Sequence, residues 1–579
     1  MAPSRTTLPN DTAMNGHTLG HAQLHDGLPQ AEFVDGRVVG NAFKSKKLRI
    51  VMAGAGISGI QLAHDVTTRL QDYEFDIYEK NAGLGGTWYE NRYPGCACDV
   101  PSHTYQFAWA PNPSWSQFFS SSAEICTYLN RVVDQHNLRK YMHFNHRIAS
   151  ATWLEETSTW KITVETRDAD GQVKTVTKEC DVFIQGVGAL NAWKYPEIEG
   201  IQQFKGNLMH TAAWQPDIDI LGKKVAVIGN GASAIQCVAA LQPAVDKLYN
   251  YMRTATWMLP HTFSGGAVQK NYPPEVIAKF ESDPELYYSH RKELELTLGR
   301  GFEALWRGGL ASRMLKSAVV KHMQSTIHDR EMLEKLTPDF EVGCRRFTPG
   351  DHYLHALQQD NVSMISDDIV RITETGIEDR TGTIHDVDII VCATGFDVSF
   401  EPRFPVLGRD GHSLAENWGK DKPTESYMGS AVAHMPNFFA FGAPIHPVAG
   451  SFYPGVAATS DYIIRILDRL QHDCLKSIVV KESAQTEFNE WVQVQMQTLV
   501  FSGTCKSWYK NSKGKVYVPW PGTILHYIQS VETIRWEDFD FCWEKKNKYA
   551  SLGNGAPVEG FALSPPPWLK GSNDLKTRL

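Results

Sequence analysis

A glycine-rich turn that follows a short apolar run constrains the fold of this chain more than any other feature. The motif Gly54-x-Gly56-x-x-Gly59 comes directly after residues 47–53, which predict a buried strand, and it opens a predicted helix. Glycines at these positions permit a tight turn, close approach of a pyrophosphate and close helix–strand packing, and the helix N-terminus adds amide donors. Glu79 ends the next predicted strand, where a carboxylate accepts hydrogen bonds from ribose hydroxyls and repels a 2′-phosphate. This unit therefore predicts a site for FAD or NAD, with FAD preferred, rather than for NADP.

A second glycine-rich turn follows the predicted strand 224–228 and opens a second helix. It reads Gly229-Asn230-Gly231-Ala232-Ser233-Ala234. Alanine replaces the third glycine, which the motif tolerates because that position serves only close packing. The next predicted strand ends at Arg253-Thr254 without an acid, and a guanidinium can clamp a 2′-phosphate in a forked geometry. The second unit favours NADPH over NADH; the alternative is that Arg253 is a surface arginine in a solvated loop.

The two βαβ units predict an α/β fold with two Rossmann-like dinucleotide-binding domains. Between about 270 and 340, charged and apolar residues recur at helical spacing, which predicts a helical insertion in the second domain. Residues 460–470 predict a further helix with Ser460 as its N-cap. The predicted organisation is a disordered segment at 1–45, the first part of the FAD domain at 46–195, the NADP domain at 196–385, and, at 386–579, the second part of the FAD domain with a tail that covers the pocket.

Charge and hydropathy exclude several kinds of partner. The net charge is −8 without a basic block, which argues against nucleic acid and anionic membranes. No run of 18 apolar residues occurs, so we expect no membrane span, and the N-terminus lacks the apolar core of a secretory signal. These features favour a cytoplasmic protein, with the C-terminal Thr577-Arg578-Leu579 as a weak match to a peroxisomal tripeptide. Nothing in the sequence indicates an oligomeric state.

The ten cysteines show no repeating spacing. Because no signal peptide is present, we expect free thiols in a reducing compartment. Cys96-x-Cys98 is too tight for a redox Cys-x-x-Cys pair, so local packing is favoured over a disulfide or a metal site. The sequence predicts no metal centre.

Two longer segments resemble the fingerprints of type I Baeyer–Villiger monooxygenases. Residues 85–99 read Gly-Gly-Thr-Trp-Tyr-Glu-Asn-Arg-Tyr-Pro-Gly-Cys-Ala-Cys-Asp and are similar to the long fingerprint, and Phe204-x-Gly206-x-x-x-His210-x-x-x-Trp214 is similar to the short one. Residues 393–397 (Ala-Thr-Gly-Phe-Asp) resemble a flavin-contacting segment of that family. The resemblance extends from about 48 to 527. One departure is Gln215, where the family usually has Pro or Asp; it bears on the subfamily more than on the reaction.

The resemblance implies a reaction cycle. NADPH reduces FAD, and the reduced flavin combines with O2 to give a C4a-peroxide that attacks a ketone carbonyl. Rearrangement then inserts one oxygen atom beside the carbonyl and gives an ester or lactone. A peroxyanion needs a fixed positive charge in a water-poor pocket, and arginine suits this role because it stays protonated.

Residue roles follow from the resemblance by position. Arg346 matches the active-site arginine of the family, Asp99 matches the carboxylate that holds it, and Arg345 matches a basic residue near the 2′-phosphate. From the residues alone, a solvated basic pair is the favoured interpretation of Arg345-Arg346, and the two fingerprints reverse that preference. Ser233 and Gln236 lie near the NADP pyrophosphate. The resemblance adds further cofactor contacts: Thr87, Trp88, Tyr89, Glu90, Cys98, Val100, Tyr105 and Ile148 for FAD, and Asn230, Gly231, Ala232, Ala234, Ile235 and Thr254 for NADP.

Two aromatic side chains have open alternatives. His210 is placed with the catalytic residues as a hinge that couples the domain linker to nicotinamide movement; a direct acid or base role is less favoured because this chemistry needs no strong base. Trp508 resembles an aromatic at the nicotinamide and substrate pocket, and ordinary core packing is its alternative.

The sequence leaves competing functions. A flavin monooxygenase that forms N- or S-oxides uses the same peroxide in its protonated form, but the long fingerprint and Trp214 argue against it. A disulfide reductase needs a Cys-x-x-Cys beside the flavin, which this sequence lacks, and a non-catalytic NADP sensor has little reason to keep Asp99 and Arg346. The aromatic content of the C-terminal region favours a bulky apolar ketone of secondary metabolism as substrate.

Overall fold

The computed structural model describes residues 33–34, 37–38, 44–167, 171–260 and 271–554. The chain divides into two compact units, Ser45–Lys548 and a smaller unit of Met1–Lys44 with Tyr549–Leu579. In the smaller unit the strands Phe33–Val34 and Arg37–Val38 pair antiparallel. Most of the segment predicted to be disordered lies outside the described residues, as do the end of the predicted pocket-covering tail and the C-terminal tripeptide.

The first glycine turn follows the central strand of a five-stranded parallel sheet. Its strands, in spatial order, are Phe438–Ala440, Val182–Gln185, Leu48–Ala53, Tyr73–Tyr78 and Met142–His143. The central strand is almost fully buried, as its unbroken apolar run predicts for a parallel sheet. The helix Ile57–Arg69 follows the turn and packs against the helix Phe452–His472.

The second glycine turn follows the central strand of a second five-stranded parallel sheet. Its strands, in spatial order, are Asn207–His210, Ile389–Cys392, Lys224–Ile228, Lys247–Tyr251 and Val362–Ile365. The helix Ala232–Leu241 follows the turn. The chain therefore has an α/β fold with two Rossmann-like units. The strand Ile389–Cys392, which follows the domain boundary predicted at 386, pairs within this second sheet.

The larger compact unit also contains smaller sheets. A four-stranded sheet contains Val406–Leu407, His146–Leu154, Thr159–Arg167 and Val173–Cys180, in that order. A three-stranded antiparallel sheet contains Ile369–Ile372, Gly376–Asp379 and Ile384–Asp386. Two pairs complete the set: Leu475–Val480 with Phe539–Trp543, antiparallel, and Met258–Leu259 with Thr348–Pro349, parallel.

Four helices occupy the stretch predicted as an insertion. They are Pro274–Ser282, Pro284–Arg300, Leu310–Thr326 and Arg330–Leu336. Asp283 and Asp329 cap two of them, each accepting a hydrogen bond from a first-turn amide. The remaining α-helices of the larger unit are Thr87–Glu90, Ser122–Gln135, Asp351–Ala356, Leu414–Asn417, Glu482–Met496 and Ile524–Glu532.

The predicted N-cap Ser460 is wrong. The helix begins at Phe452, and Ser451 is the cap, its side chain accepting from the Tyr453 amide. Ser460 is buried inside the helix, and its hydroxyl donates to Asp65 Oδ2 at 2.6 Å. The Ser460 hydroxyl therefore bonds a residue of a neighbouring helix instead of capping the helix in which it lies.

Candidate active site

A cavity of about 1030 Å³ lies where strands of both parallel sheets end. It is lined by Gly54 and Gly186–Gly188 after strands of the first sheet, and by Ala232 and Ser233 after a strand of the second. Ligands of doubly wound folds bind outside the carboxyl ends of the strands. The cavity therefore joins the two predicted nucleotide sites.

The first glycine turn is shaped by close backbone approach. Gly54 has φ +101°, and a Cβ there would lie 2.6 Å from the Gly186 carbonyl oxygen. A Cβ on Gly59 would lie 2.3 Å from the carbonyl oxygen of Gly54. Gly56 differs, because its Cβ would meet no atom closer than 3.6 Å. Gly54 and Gly59 thus serve the turn and its packing, while Gly56 leaves room for a pyrophosphate.

The Glu79 side chain is hydrogen-bonded to the first glycine turn. Its carboxylate is buried and accepts hydrogen bonds from the Ala55 and Asn81 amides, both at 2.9 Å. Burial raises the pKa of Glu79. Each oxygen has one amide donor, and each keeps a lone pair for another. Glu79 lines the cavity with Ile148, so the residues present fit the adenosine part of FAD.

The second glycine turn leaves space for a ligand beside Gly231. Gly229 has φ +128°, and a Cβ there would lie 2.4 Å from the Ala393 carbonyl oxygen. A Cβ on Gly231 would meet nothing within 4 Å. The buried Asn230 Nδ2 has no hydrogen-bond partner among the described residues. An open approach beside an unpaired buried donor fits a pyrophosphate.

Two arginines lie close together beside the second turn. Burial and then the neighbouring charge of Arg253 lower the pKa of Arg345. Arg345 donates to the carbonyl oxygens of Lys506 at 2.9 Å and Ala255 at 3.4 Å. No carboxylate within the described ranges forms an ion pair with either arginine. Two cations held together without an anion fit a 2′-phosphate.

Asp99 and Arg346 form a forked ion pair at the cavity wall. Arg346 Nε donates to Asp99 Oδ2 and Arg346 Nη2 to Asp99 Oδ1, both at 2.6 Å. The pairing raises the pKa of Arg346, so the guanidinium stays charged. The Arg346 side chain keeps 37% of its surface accessible and lines the cavity. The site therefore presents a fixed positive charge to a bound ligand.

Tyr509 lies near this guanidinium, close enough for the charge of Arg346 to act on its phenol. Burial raises the pKa of Tyr509 to about 12. The phenol therefore stays neutral. Trp508 lines the cavity, and its ring lies 4.6 Å from that of Tyr509 between centroids.

The segment that carries Arg346 is fixed on both sides. Cys344 forms a disulfide with Cys505, and Thr348–Pro349 pairs with the strand Met258–Leu259. The expectation that all cysteines are free thiols is wrong for this pair, because the fold brings together two cysteines 161 residues apart. The other eight cysteines are free, and Cys96 and Cys98 are buried.

The loop of residues 93–97, within the long fingerprint, packs against the second nucleotide helix. Tyr93 donates to Gln236 Oε1 at 2.8 Å, and Gln236 Nε2 donates to the Ala97 carbonyl at 2.9 Å. A Cβ on Gly95 would lie 2.6 Å from the backbone oxygen of Gln236. This part of the fingerprint is therefore the contact between the two nucleotide units, and Gln236 holds the contact as well as lining the cavity.

His210 is fully buried at the end of the strand Asn207–His210, an outer strand of the second sheet. Its ring stacks on Trp193 with centroids 4.7 Å apart, and Nδ1 accepts from the Ala212 amide at 3.1 Å. Burial lowers the pKa of His210 to about 4. His210 does not line the cavity, so a neutral ring in the linker fits its position better than an acid or base.

Two further features concern membranes and metals. No helix of the described part of the chain is long and apolar enough to cross a membrane. Among the same residues, no group of three or more His, Cys, Asp or Glu side chains is placed to hold a metal ion.

Comparisons with known proteins agree with this site. A family model described as "NAD(P)-binding Rossmann-like domain" matches residues 53–122. The FAD-binding monooxygenase moxY of Dothistroma septosporum is 38% identical over 89% of this chain and 83% of the relative. A Baeyer-Villiger monooxygenase of Pseudomonas aeruginosa is 33% identical over 83% of this chain and 88% of the relative. This chain belongs to the flavin-dependent Baeyer–Villiger monooxygenase family.

The fold matches this family as well. The crystal structure of cyclohexanone monooxygenase from Rhodococcus sp. Phi1 bound to NADP+ superimposes with a TM-score of 0.74 at 23% identity, covering 86% of this chain and 100% of that one. As a member of the Baeyer–Villiger family, the chain is a flavin-dependent monooxygenase.

The structure places most of the predicted site residues of this monooxygenase at the cavity. The lining includes Gly54, Gly56, Glu79, Thr87, Trp88, Glu90, Cys98, Asp99, Val100, Tyr105, Ile148, Ala232, Ser233, Ile235, Gln236, Arg346 and Trp508. The predicted residues outside the lining are Gly59, Tyr89, Asn230, Gly231, Ala234, Arg253, Thr254, Arg345 and His210. Tyr89 packs against Gly83 and Arg92 instead.

Among the site residues that the sequence analysis missed are Tyr509, which lies near Arg346, Tyr453, whose ring centroid lies 4.9 Å from that of Tyr105, and His446, which lines the cavity. Tyr509 directly follows Trp508, so adjacency was a usable signal for it. The other two lie after the strand Phe438–Ala440, and only the pairing of that strand in the first sheet would have indicated them.

Proposed function

We propose that this chain converts a bulky, largely apolar ketone to an ester or lactone, consuming O2 and NADPH. One oxygen atom enters between the carbonyl carbon and its neighbouring carbon, and the other leaves as water. NADPH and a proton supply the two electrons and the hydrogen needed for that water. The forked Asp99–Arg346 pair at the cavity wall is the observation that carries this proposal.

FAD and NADPH are the cofactors, and when bound they supply oxygen activation and hydride. The chain's own residues hold them. Glu79 and the first glycine turn would hold the FAD ribose and pyrophosphate, and Gly231 with Asn230 would hold the NADP pyrophosphate. Arg253 and Arg345 would bind the 2′-phosphate.

Arg346 stabilises negative charge as it develops on the oxygen that reaches the ketone. A guanidinium fixed in advance acts without reorganisation at the moment of reaction. Asp99 fixes its plane through two hydrogen bonds. The aromatic lining of Phe396, Phe441, Phe452 and Trp508 supports an apolar ketone and limits water at the reacting atoms.

His210 acts at the linker and not on substrate. Its stacking on Trp193 ties the short fingerprint to the segment before it, and its bond with the Ala212 amide lies within the fingerprint. We assign it a positioning role, in which it couples this linker to nicotinamide placement.

A substrate screen tests the proposal. The purified, FAD-loaded protein is given NADPH and isotopically labelled O2 with linear, cyclic and polycyclic ketones, and in parallel with a thioether of matched size. We expect an ester or lactone that carries one labelled oxygen, formed best from the polycyclic ketones. Sulfoxide formation without any ester would contradict the proposal and favour heteroatom oxidation.

A further inference from the structure

The segment that follows the strand Phe438–Ala440 brings to the cavity a polar side chain that the proposed function does not use. That side chain is His446. Its neighbours in that lining, Phe441, Pro447 and Val448, are apolar. A hydrogen-bonding group on an apolar wall fixes the orientation of a ligand more than it adds affinity.

The tautomer of His446 is fixed by its backbone contact. Nδ1 lies 2.8 Å from the Ala443 carbonyl oxygen, which only accepts hydrogen bonds, so Nδ1 carries the proton. Burial lowers the pKa of His446 to about 4, so the ring is neutral near pH 7. Nε2 is then a hydrogen-bond acceptor, and within the part of the chain that the structure describes it has no partner.

The backbone holds this ring firmly. Ile445, directly before it, has φ +62°, a conformation that a β-branched residue adopts only when its surroundings enforce it. The Ile445 amide donates to the Tyr517 carbonyl at 2.9 Å, and the His446 amide donates to the Val518 carbonyl at 3.0 Å. Strain of this kind is concentrated at functional sites.

The same contacts connect the His446 segment with the segment that carries Tyr509. Tyr517, which accepts from Ile445, donates its own amide to the Tyr509 carbonyl at 3.0 Å. The Tyr509 side chain in turn lies near Arg346. His446 and Arg346 are therefore linked through two backbone steps, and both line one cavity.

We propose that Nε2 of His446 accepts a hydrogen bond from a hydroxyl group of the substrate and so selects hydroxylated ketones, phenolic ones above all. This inference rests on the proposed function, since it specifies the substrate of the same site. A hydroxyl donates to a neutral imidazole nitrogen, whereas a methoxy group of similar size cannot. A site built to bond a hydroxyl discriminates against the analogue that lacks it.

The test compares His446→Leu, which removes the acceptor, with His446→Gln, whose amide oxygen can replace it. The probes are 5-, 6- and 7-hydroxy-1-tetralone, each paired with its methoxy counterpart. We expect the wild type to favour at least one hydroxyl isomer over its methoxy partner in kcat/KM by about tenfold. His446→Leu abolishes this preference, and His446→Gln restores part of it.

Two measurements keep the inference separate from the proposed function. Titration of the oxidised holoenzyme with the same tetralones, followed by flavin absorbance, needs no turnover and should show the same preference. NADPH-driven flavin reduction without ketone should be equal in wild type and His446→Leu. An unchanged preference in His446→Leu for every isomer overturns the inference, and so does an altered flavin spectrum or reduction rate, which would make His446 a cofactor contact. Absence of ester from every ketone would overturn the proposed function, while the titration would still decide the role of His446.

Discussion

The guanidinium of Arg346 donates a hydrogen bond to each carboxylate oxygen of Asp99 at 2.6 Å, although the two residues are 247 positions apart in the sequence. Asp99 ends the long fingerprint of the first unit, and Arg346 lies in the segment tied to Cys505 and to the strand Met258–Leu259. The pair therefore joins the two halves of the site as well as orienting the charge. Its geometry matters because forked pairing fixes the guanidinium plane.

Asp99→Asn tests the orienting role. The asparagine keeps one accepting oxygen but loses the forked carboxylate and its charge, so Arg346 is held less firmly. We expect the rate of ester formation to fall about tenfold, with FAD content and the rate of flavin reduction by NADPH unchanged. A rate equal to that of wild type would remove Asp99 from the mechanism.

Arg253→Ala tests the 2′-phosphate site. Loss of one charge-assisted hydrogen bond raises the KM for NADPH by about tenfold or more, while the KM for NADH, which lacks the phosphate, stays the same. Arg330→Ala is the matched control, since Arg330 is an exposed arginine on the helix Arg330–Leu336. Equal effects of Arg253→Ala on both nucleotides would exclude Arg253 from phosphate binding.

Gly231→Ala separates nucleotide approach from folding. An added Cβ meets no atom of the protein within 4 Å, so the melting temperature should not change. A pyrophosphate that passes close to Gly231 would meet the new methyl group, and the KM for NADPH should rise about tenfold. Gly299→Ala, where a Cβ also meets nothing within 4 Å, should leave the KM unchanged and should not lower the melting temperature, because alanine favours the helix Pro284–Arg300. An unaltered KM in Gly231→Ala would place the pyrophosphate elsewhere.

The disulfide between Cys344 and Cys505 should stabilise the site. Closing a long loop contributes about 2–4 kcal/mol in the chain-entropy model, so Cys505→Ser should lower the melting temperature under non-reducing conditions. The matched control is Cys542→Ser, because Cys542 is free and exposed. Peptide mapping without reductant should recover the linked Cys344 and Cys505 peptides; two free thiols there would contradict the pairing.

Local motifs made part of this site predictable from sequence. The backbone approach at Gly54 and Gly59 and the position of Glu79 at the end of its strand are properties of one βαβ unit, so the spacing of a few residues encodes them. The pairing of Asp99 with Arg346 was reachable only through the fingerprint resemblance, because composition and periodicity carry no information on a contact between distant residues.

Other features depend on tertiary neighbours and could not be predicted. Cys344 meets Cys505 only in the folded chain, and the backbone beside His446 is held by hydrogen bonds to Tyr517 and Val518. Ser460 resembled a helix cap in sequence, but its hydroxyl bonds Asp65 on another helix. In each case the deciding partner is remote along the chain, where local pattern is silent.

Arg346→Ala tests the central claim most directly. Stopped-flow absorbance follows flavin reduction by NADPH, and product analysis follows ester formation by the same preparation, with Arg92→Ala as the control for loss of an exposed positive charge. We expect flavin reduction close to the wild-type rate and ester formation lower by about 10²–10³-fold, because only the oxygenation step needs the fixed charge. Ester formation at the wild-type rate in Arg346→Ala would contradict the central claim.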